Sequence, residues 1–148
     1  MIALGSDHGG YNLKETIKAY LEENNIPCKD FGTNSTESVD YPEFGAKVAE
    51  AVVSKECEKG IICCGTGIGI SISANKVPGI RCAVVSDTFS AQMSREHNNA
   101  NILALGERVI GKGLALEIVK VWLSTEFAGD RHQRRIDKIT DIEKKYNR

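Results

Sequence analysis

Gly60-Ile61-Ile62-Cys63-Cys64-Gly65-Thr66-Gly67-Ile68-Gly69 is a short apolar run that breaks into a glycine loop. A continuous apolar run of this length, bounded by glycines, reads as a strand buried on both faces, as central strands of parallel sheets are. The loop then opens a short helix, which must stop near Val77-Pro78-Gly79. Strand, glycine loop and helix make one β-α unit, and the neighbouring sequence repeats it.

Upstream, Ile2-Ala3-Leu4 ends in Gly5-Ser6-Asp7-His8-Gly9-Gly10. A helix follows with Leu13, Ile17, Tyr20 and Leu21 at the spacing of a buried stripe. Pro27 to Phe31 reads as a second strand, Gly32 to Pro42 as a polar loop, and Tyr41, Phe44, Val48, Ala51 and Val52 mark the next helix. Downstream, Cys82 to Val85 and Ile102 to Leu105 are strands. Between them a polar helix carries Ser90, Met93, Arg95, His97 and Asn98, and after them Leu114, Ile118, Val121 and Trp122 outline a long helix. The alternation predicts an α/β fold, a five-stranded parallel sheet with helices on both faces. Past Phe127 the pattern changes: a basic loop, Gly129 to Arg135, leads to a helix over about 132–147 with Ile136, Ile139, Ile142 and Tyr146. This extra C-terminal helix lies outside the β-α repeat, and a partner subunit is the expected cover for its apolar stripe.

The chain has 148 residues, 41% hydrophobic and 26% charged, with a net charge of −1. That size fits one domain over 1–148, and no repeat or linker divides it. The near-neutral charge gives no field for nucleic acid or an anionic membrane. No apolar run approaches the roughly 20 residues of a membrane span, and Met1 leads into Ile2-Ala3-Leu4 without a signal peptide. Five cysteines, odd in number and without a CxxC pair, suggest neither a disulfide framework nor a zinc site. A cytoplasmic chain with reduced thiols and no metal is expected.

In parallel α/β sheets ligands bind beyond the carboxyl ends of the strands. Here those ends carry Asp7 and His8, Cys64 with its glycine loop, Ser86 and Asp87, and Gly106 to Arg108. The loop Gly65-Thr66-Gly67-Ile68-Gly69 is open to three readings. A dinucleotide fingerprint would need its third glycine at position 70, which is Ile70. A tight turn would merely connect strand to helix. An anion cradle would aim backbone N–H groups at a negative oxygen. Strand alternation sends Cys63 and Cys64 to opposite faces. Cys64, beside a helix start whose dipole favours thiolate, is the candidate nucleophile or base. Asp7 could orient the His8 imidazole, His97 lies among polar residues, and Arg131, Arg134 and Arg135 form either a solvated surface or a phosphate clamp. These residues suggest one sheet-end pocket.

Several segments appear in a fixed order: Gly5 to Gly10, Asp40-Tyr41-Pro42, Cys64 to Ser71, Ala74-Asn75-Lys76, Arg81, Ser90-Ala91-Gln92, His97-Asn98 and Arg131-His132-Gln133. With them the whole chain resembles the type B ribose-5-phosphate isomerases, in the sugar-phosphate isomerase family that also contains galactose-6-phosphate isomerase subunits. The resemblance implies a Rossmann-like three-layer α/β/α sandwich and a homodimer, often a dimer of dimers, with active sites between subunits. It implies no cofactor and no metal. By position, Cys64 matches the proton acceptor and His97 the proton donor. Asp7, His8 and the loop Gly65, Thr66, Gly67, Ile68 and Gly69 match sugar contacts, Asn98 a hydroxyl contact, and Arg108, Arg131 and Arg135 phosphate contacts. Thr66 could share the hold on an enediolate oxygen. The implied activity interconverts ribose 5-phosphate and ribulose 5-phosphate through a cis-enediolate. The alternatives are a six-carbon sugar isomerase of the allose/psicose or galactose/tagatose type, and a non-catalytic nucleotide-binding module.

Overall fold

A computed structural model describes residues 1–147. Within them the elements run β1 (Ile2–Ser6), α1 (Tyr11–Glu23), β2 (Cys28–Asp30), α2 (Tyr41–Val53), β3 (Lys59–Cys64), α3 (Ile68–Asn75), β4 (Cys82–Val84), α4 (Thr88–Glu96), β5 (Ile102–Gly106), α5 (Lys112–Ser124) and α6 (Arg131–Tyr146). All strand pairs are parallel, in the order β2-β1-β3-β5-β4. The five expected strands are all present.

Strand alternation divides the core into two layers. Ile61, Cys63, Leu103 and Leu105 meet α1, α4 and α5 on one face. Ile62, Cys64, Ile102 and Ala104 meet α2 and α3 on the other. This is the three-layer α/β/α sandwich. The inner stripe of α5 is Ala115, Ile118, Val119 and Trp122, and Leu114, expected inside, is 41% exposed. Trp122 sets this helical phase: it is fully buried, with the Arg95 guanidinium 5.7 Å from its ring.

Lys14, on the inner side of α1, is also fully buried. Its Nζ donates to both Asp30 carboxylate oxygens at 2.8 Å and to Thr33 O at 2.6 Å. Burial works to raise the Asp30 carboxyl, but hydrogen bonds from Lys14 and the Gly32 N–H outweigh it and hold Asp30 below the ordinary carboxylate range. The pair pins the loop leaving β2.

Two features of this topology position the chemistry. The chain steps from β1 out to β2, then back across β1 to β3, so the strand order reverses between β1 and β3. A crevice forms outside the carboxyl ends at such a switch point. At the opposite end α6 lies beneath the amino ends of the strands. The Gly79 N–H donates to both Glu143 carboxylate oxygens at 3.0 and 3.1 Å, and the Ala128 N–H, just ahead of α6, donates to Glu96 O at 3.0 Å.

The single apolar stripe expected on α6 is in fact two. His132 and Ile136, 7% and 5% exposed, face the chain's own core, with Thr140 and Glu143 in line. Ile139, Ile142 and Tyr146 point away, 48%, 60% and 73% exposed. At 3.6 residues per turn Arg131 and Arg135 fall on that same outward side.

Candidate active site

β1 and β3 end side by side, Ser6 opposite Cys63. Asp7 then caps a single 3-10 turn (His8–Gly10) by accepting the Gly10 N–H at 3.0 Å. This occupies one Asp7 oxygen, and the carboxylate does not orient His8 as the sequence suggested. The Val39 N–H does, donating to His8 Nδ1 at 3.2 Å. Neutral His8 therefore carries its proton on Nε2. The turn abuts the glycine loop: a Cβ on Gly9 would lie 3.3 Å from Gly65 N.

Cys64 ends β3 on the α2/α3 face. The Gly67 N–H donates to its sulfur at 3.1 Å and holds it at the mouth of the loop. Gly67 has φ +80°, and a Cβ there would come 2.9 Å from the Leu105 carbonyl carbon, so glycine is required. The turn carries the chain into α3, whose first-turn N–H groups have no intrahelical acceptors. The Ile68 N–H is met by Thr66 Oγ1 at 3.2 Å, which leaves the Thr66 hydroxyl hydrogen free to donate outward. The Ile68 side chain is 53% exposed. Arg108 lies over Gly65, with its Cδ 3.6 Å from a Cβ placed there. The Tyr41 ring lies over Gly69, where a Cβ would approach to 2.6 Å.

Cys63 points to the opposite layer, 1% exposed, and burial pushes its thiol far up. Burial likewise pushes Cys82 up to about 12. Neither supplies a thiolate at neutral pH.

The expected single pocket is divided. Asp7, His8, Cys64 to Gly69 and Arg108 gather at the carboxyl ends of the strands. His97, Asn98, Arg131 and Arg135 gather at the amino ends. β3 and β5 pair from Gly60–Ile102 to Cys64–Gly106, so four residue steps, about 13 Å at 3.3 Å each, separate the two levels. His97 precedes Ile102 and lies beyond the lower level. The physical reason is direction: α4 begins at the carboxyl edge and returns antiparallel to the strands.

The lower cluster is firmly built. Arg81 Nε donates to Asn98 O and Asn99 O at 3.0 and 3.1 Å, and Arg95 donates to Asn99 Oδ1 and Ala100 O at 3.0 and 2.7 Å. Asn101 bridges the Arg81 N–H and Gly79 O. These groups fix the turn that presents His97 and Asn98. Asn98 and the three arginines 108, 131 and 135 are exposed. The His97 and His132 rings stack at 4.3 Å between centroids and 13° between planes.

Sequence reasoning missed the positioning groups Lys14, Val39 and Arg81. Lys14 sits within a buried helical stripe, Val39 acts through its backbone, and Arg81 belongs to a recognised segment but has a role visible only as contacts with distant carbonyls.

The ribose/galactose isomerase family matches residues 2–139. The chain is similar to the structure of ribose-5-phosphate isomerase B from Clostridium thermocellum, with a TM-score of 0.98, 63% identity and 99% of each chain covered. It is also similar to a ribose 5-phosphate isomerase structure from Thermotoga maritima, with a TM-score of 0.93 and 50% identity over 95% of this chain and 97% of that one. Ribose-5-phosphate isomerase B of Escherichia coli is 50% identical over 99% of this chain and 98% of its own. Among the described residues no helix is long and apolar enough to cross a membrane. A thiol held at the end of β3, a glycine loop that opens α3 and similarity along the full length agree, and the chain belongs to the ribose/galactose isomerase family.

Proposed function

We propose that residues 1–148 form one enzyme domain that interconverts ribose 5-phosphate and ribulose 5-phosphate by proton transfer, with each active site shared by two copies of the chain. The observation that carries this reading is the Cys64 sulfur, held by the Gly67 N–H at the start of the glycine loop, whose Gly65 lies against Gly9 and Arg108. The relatives named as ribose-5-phosphate isomerases supply the substrate.

Cys64, as thiolate, takes the proton from C2 of the open-chain aldose. The electron pair becomes the C1–C2 double bond and the aldehyde oxygen gains the charge. First-turn N–H groups of α3 and the Thr66 hydroxyl stabilise that cis-enediolate oxygen, at about 3 kcal/mol of barrier per well-aimed donor. Return of the proton to C1, with net transfer of the O2 proton to O1, yields the ketose. The transfer needs no hydride carrier. Asp7, the His8 Nε2–H and the backbone of Gly65 to Gly69 hold hydroxyls.

His97 donates a proton to the furanose ring oxygen, Asn98 holds a hydroxyl, and Arg131 and Arg135 fork the phosphate with Arg108. The distance between levels supports a second copy of the chain as the source of these lower groups. The outward stripe of α6 supports this, because Ile139, Ile142 and Tyr146 share a side with Arg131 and Arg135. Covering that apolar side with the upper end of another copy delivers the arginines to its Cys64. Ile68 and Ile72, exposed on α3 beside the glycine loop, provide an apolar counterpart. Five unpaired cysteines fit a cytoplasmic enzyme.

The test is an isomerisation assay of purified protein with ribose 5-phosphate, allose 6-phosphate, galactose 6-phosphate and free ribose. Turnover fastest with ribose 5-phosphate supports the reading. Turnover confined to a six-carbon phosphate would reassign the substrate, and none with any sugar would end it.

A further inference from the structure

His132 has no place in the chemistry above, yet it is 7% exposed and stacked on the proposed proton donor. It is the second residue of α6, and Ile136, one turn on, seats the same side of the helix in the chain's own core. Two backbone bonds hold the approach. The Ala128 N–H donates to Glu96 O, next to His97, and the His132 N–H donates to Gly129 O, both at 3.0 Å. His97 caps the end of α4, its N–H donating to Met93 O at 2.8 Å. The backbone around both rings is therefore fixed, while the His97 side chain is only half-buried and would otherwise be free to turn about its side-chain bonds.

We infer that His132 is a positioning residue: its ring, lying flat on that of His97, fixes the plane in which His97 meets the sugar. This rests on the reading of His97 as the proton donor. Near-parallel aromatic faces attract, and a buried ring restrains its neighbour. Desolvation, the adjoining His97 ring, Arg131 and Arg135 hold His132 below the ordinary histidine range, with Glu96 opposing.

The inference separates flatness from hydrogen bonding, and so do the variants. His132→Phe keeps a flat ring without nitrogen, and His132→Asn keeps a polar group without a ring. His132→Ala keeps neither, and His132→Tyr is a second flat ring if phenylalanine does not fold. Each is assayed with ribose 5-phosphate beside His97→Ala, with thermal melting and NMR of the His97 ring protons. A misplaced catalytic group costs up to about 100-fold, so Ala and Asn should lower kcat about 10- to 100-fold with KM within about twofold. Phe or Tyr should return kcat to within about threefold of the unaltered enzyme, and should keep the upfield ring-current shift that Ala and Asn lose. The inference is overturned if the flat-ring variants are as slow as Ala, or if Ala leaves kcat and the His97 resonances unchanged. Loss of activity in His97→Ala with a silent His132→Ala would sink only the positioning role. A fully active His97→Ala would sink the proton-donor reading and the inference with it.

Discussion

Asp30→Ala is expected to destabilise the protein far more than removal of its partner Lys14. The Lys14 ammonium is 0% exposed and has three acceptors, two of them on Asp30. Alanine at position 30 leaves a buried cation with only Thr33 O, and uncompensated buried charges cost about 3–5 kcal/mol. Lys14→Met is milder. Asp30 is 12% exposed and keeps the Gly32 N–H at 2.8 Å and Lys18 at 3.4 Å, so the loss is mainly that of the donor to Thr33 O, about 1–3 kcal/mol. Lys14→Met/Asp30→Leu, which removes both charges, should recover much of the Asp30→Ala loss. The assay is urea unfolding at one fixed protein concentration, since assembly shifts the midpoint. Because Asp30 lies below its unfolded value, its contribution is complete above about pH 4 and disappears as pH falls through the folded value. The gap between the unaltered protein and Asp30→Ala should therefore narrow on acidification. A cost for Asp30→Ala below about 1 kcal/mol, or below that of Lys14→Met, would refute the reasoning.

Cys64→Ser should keep the melting temperature and lower kcat about 100- to 10,000-fold, the range for a lost general base, whereas Cys63→Ser should keep kcat within about threefold. Arg135→Ala should raise KM for ribose 5-phosphate about 10- to 150-fold, the equivalent of about 1.5–3 kcal/mol for a charge-assisted bond, and leave turnover of free ribose unchanged. Ile142→Glu places a charge on the outward stripe of α6, so sedimentation should show smaller species and activity should fall in step. A fully active monomer would contradict the shared site.

The fold was largely legible because each strand is bounded by glycine, proline or polar residues, and the apolar runs carry their own burial. The helical phase was less so. Leu114 reads as a core residue by hydropathy, but the fully buried Trp122 turns α5 so that Ala115 and Val119 face inward. On α6 a run of isoleucines hides the fact that Ile136 packs within its own chain while Ile139 and Ile142 face outward. The Cys64 half of the site could be read from sequence, because strand ends and glycine loops announce themselves. The His97 half could not be separated from it, since both carry polar residues and only the return direction of α4 sets them apart. Arg81 gives no local signal, as its partners Asn98 and Asn99 are backbone carbonyls supplied by the fold.

The shared site is tested most directly by mixing two inactive proteins. Cys64→Ser and His97→Ala are unfolded together, refolded as a mixture and assayed with ribose 5-phosphate. In a mixed dimer one site draws Cys64 from one chain and His97 from the other, and is intact, while the second site lacks both. Random pairing makes half the dimers mixed, so activity should return to about a quarter of that of the unaltered enzyme. A mixture no more active than the two variants refolded separately would contradict a site built from two chains.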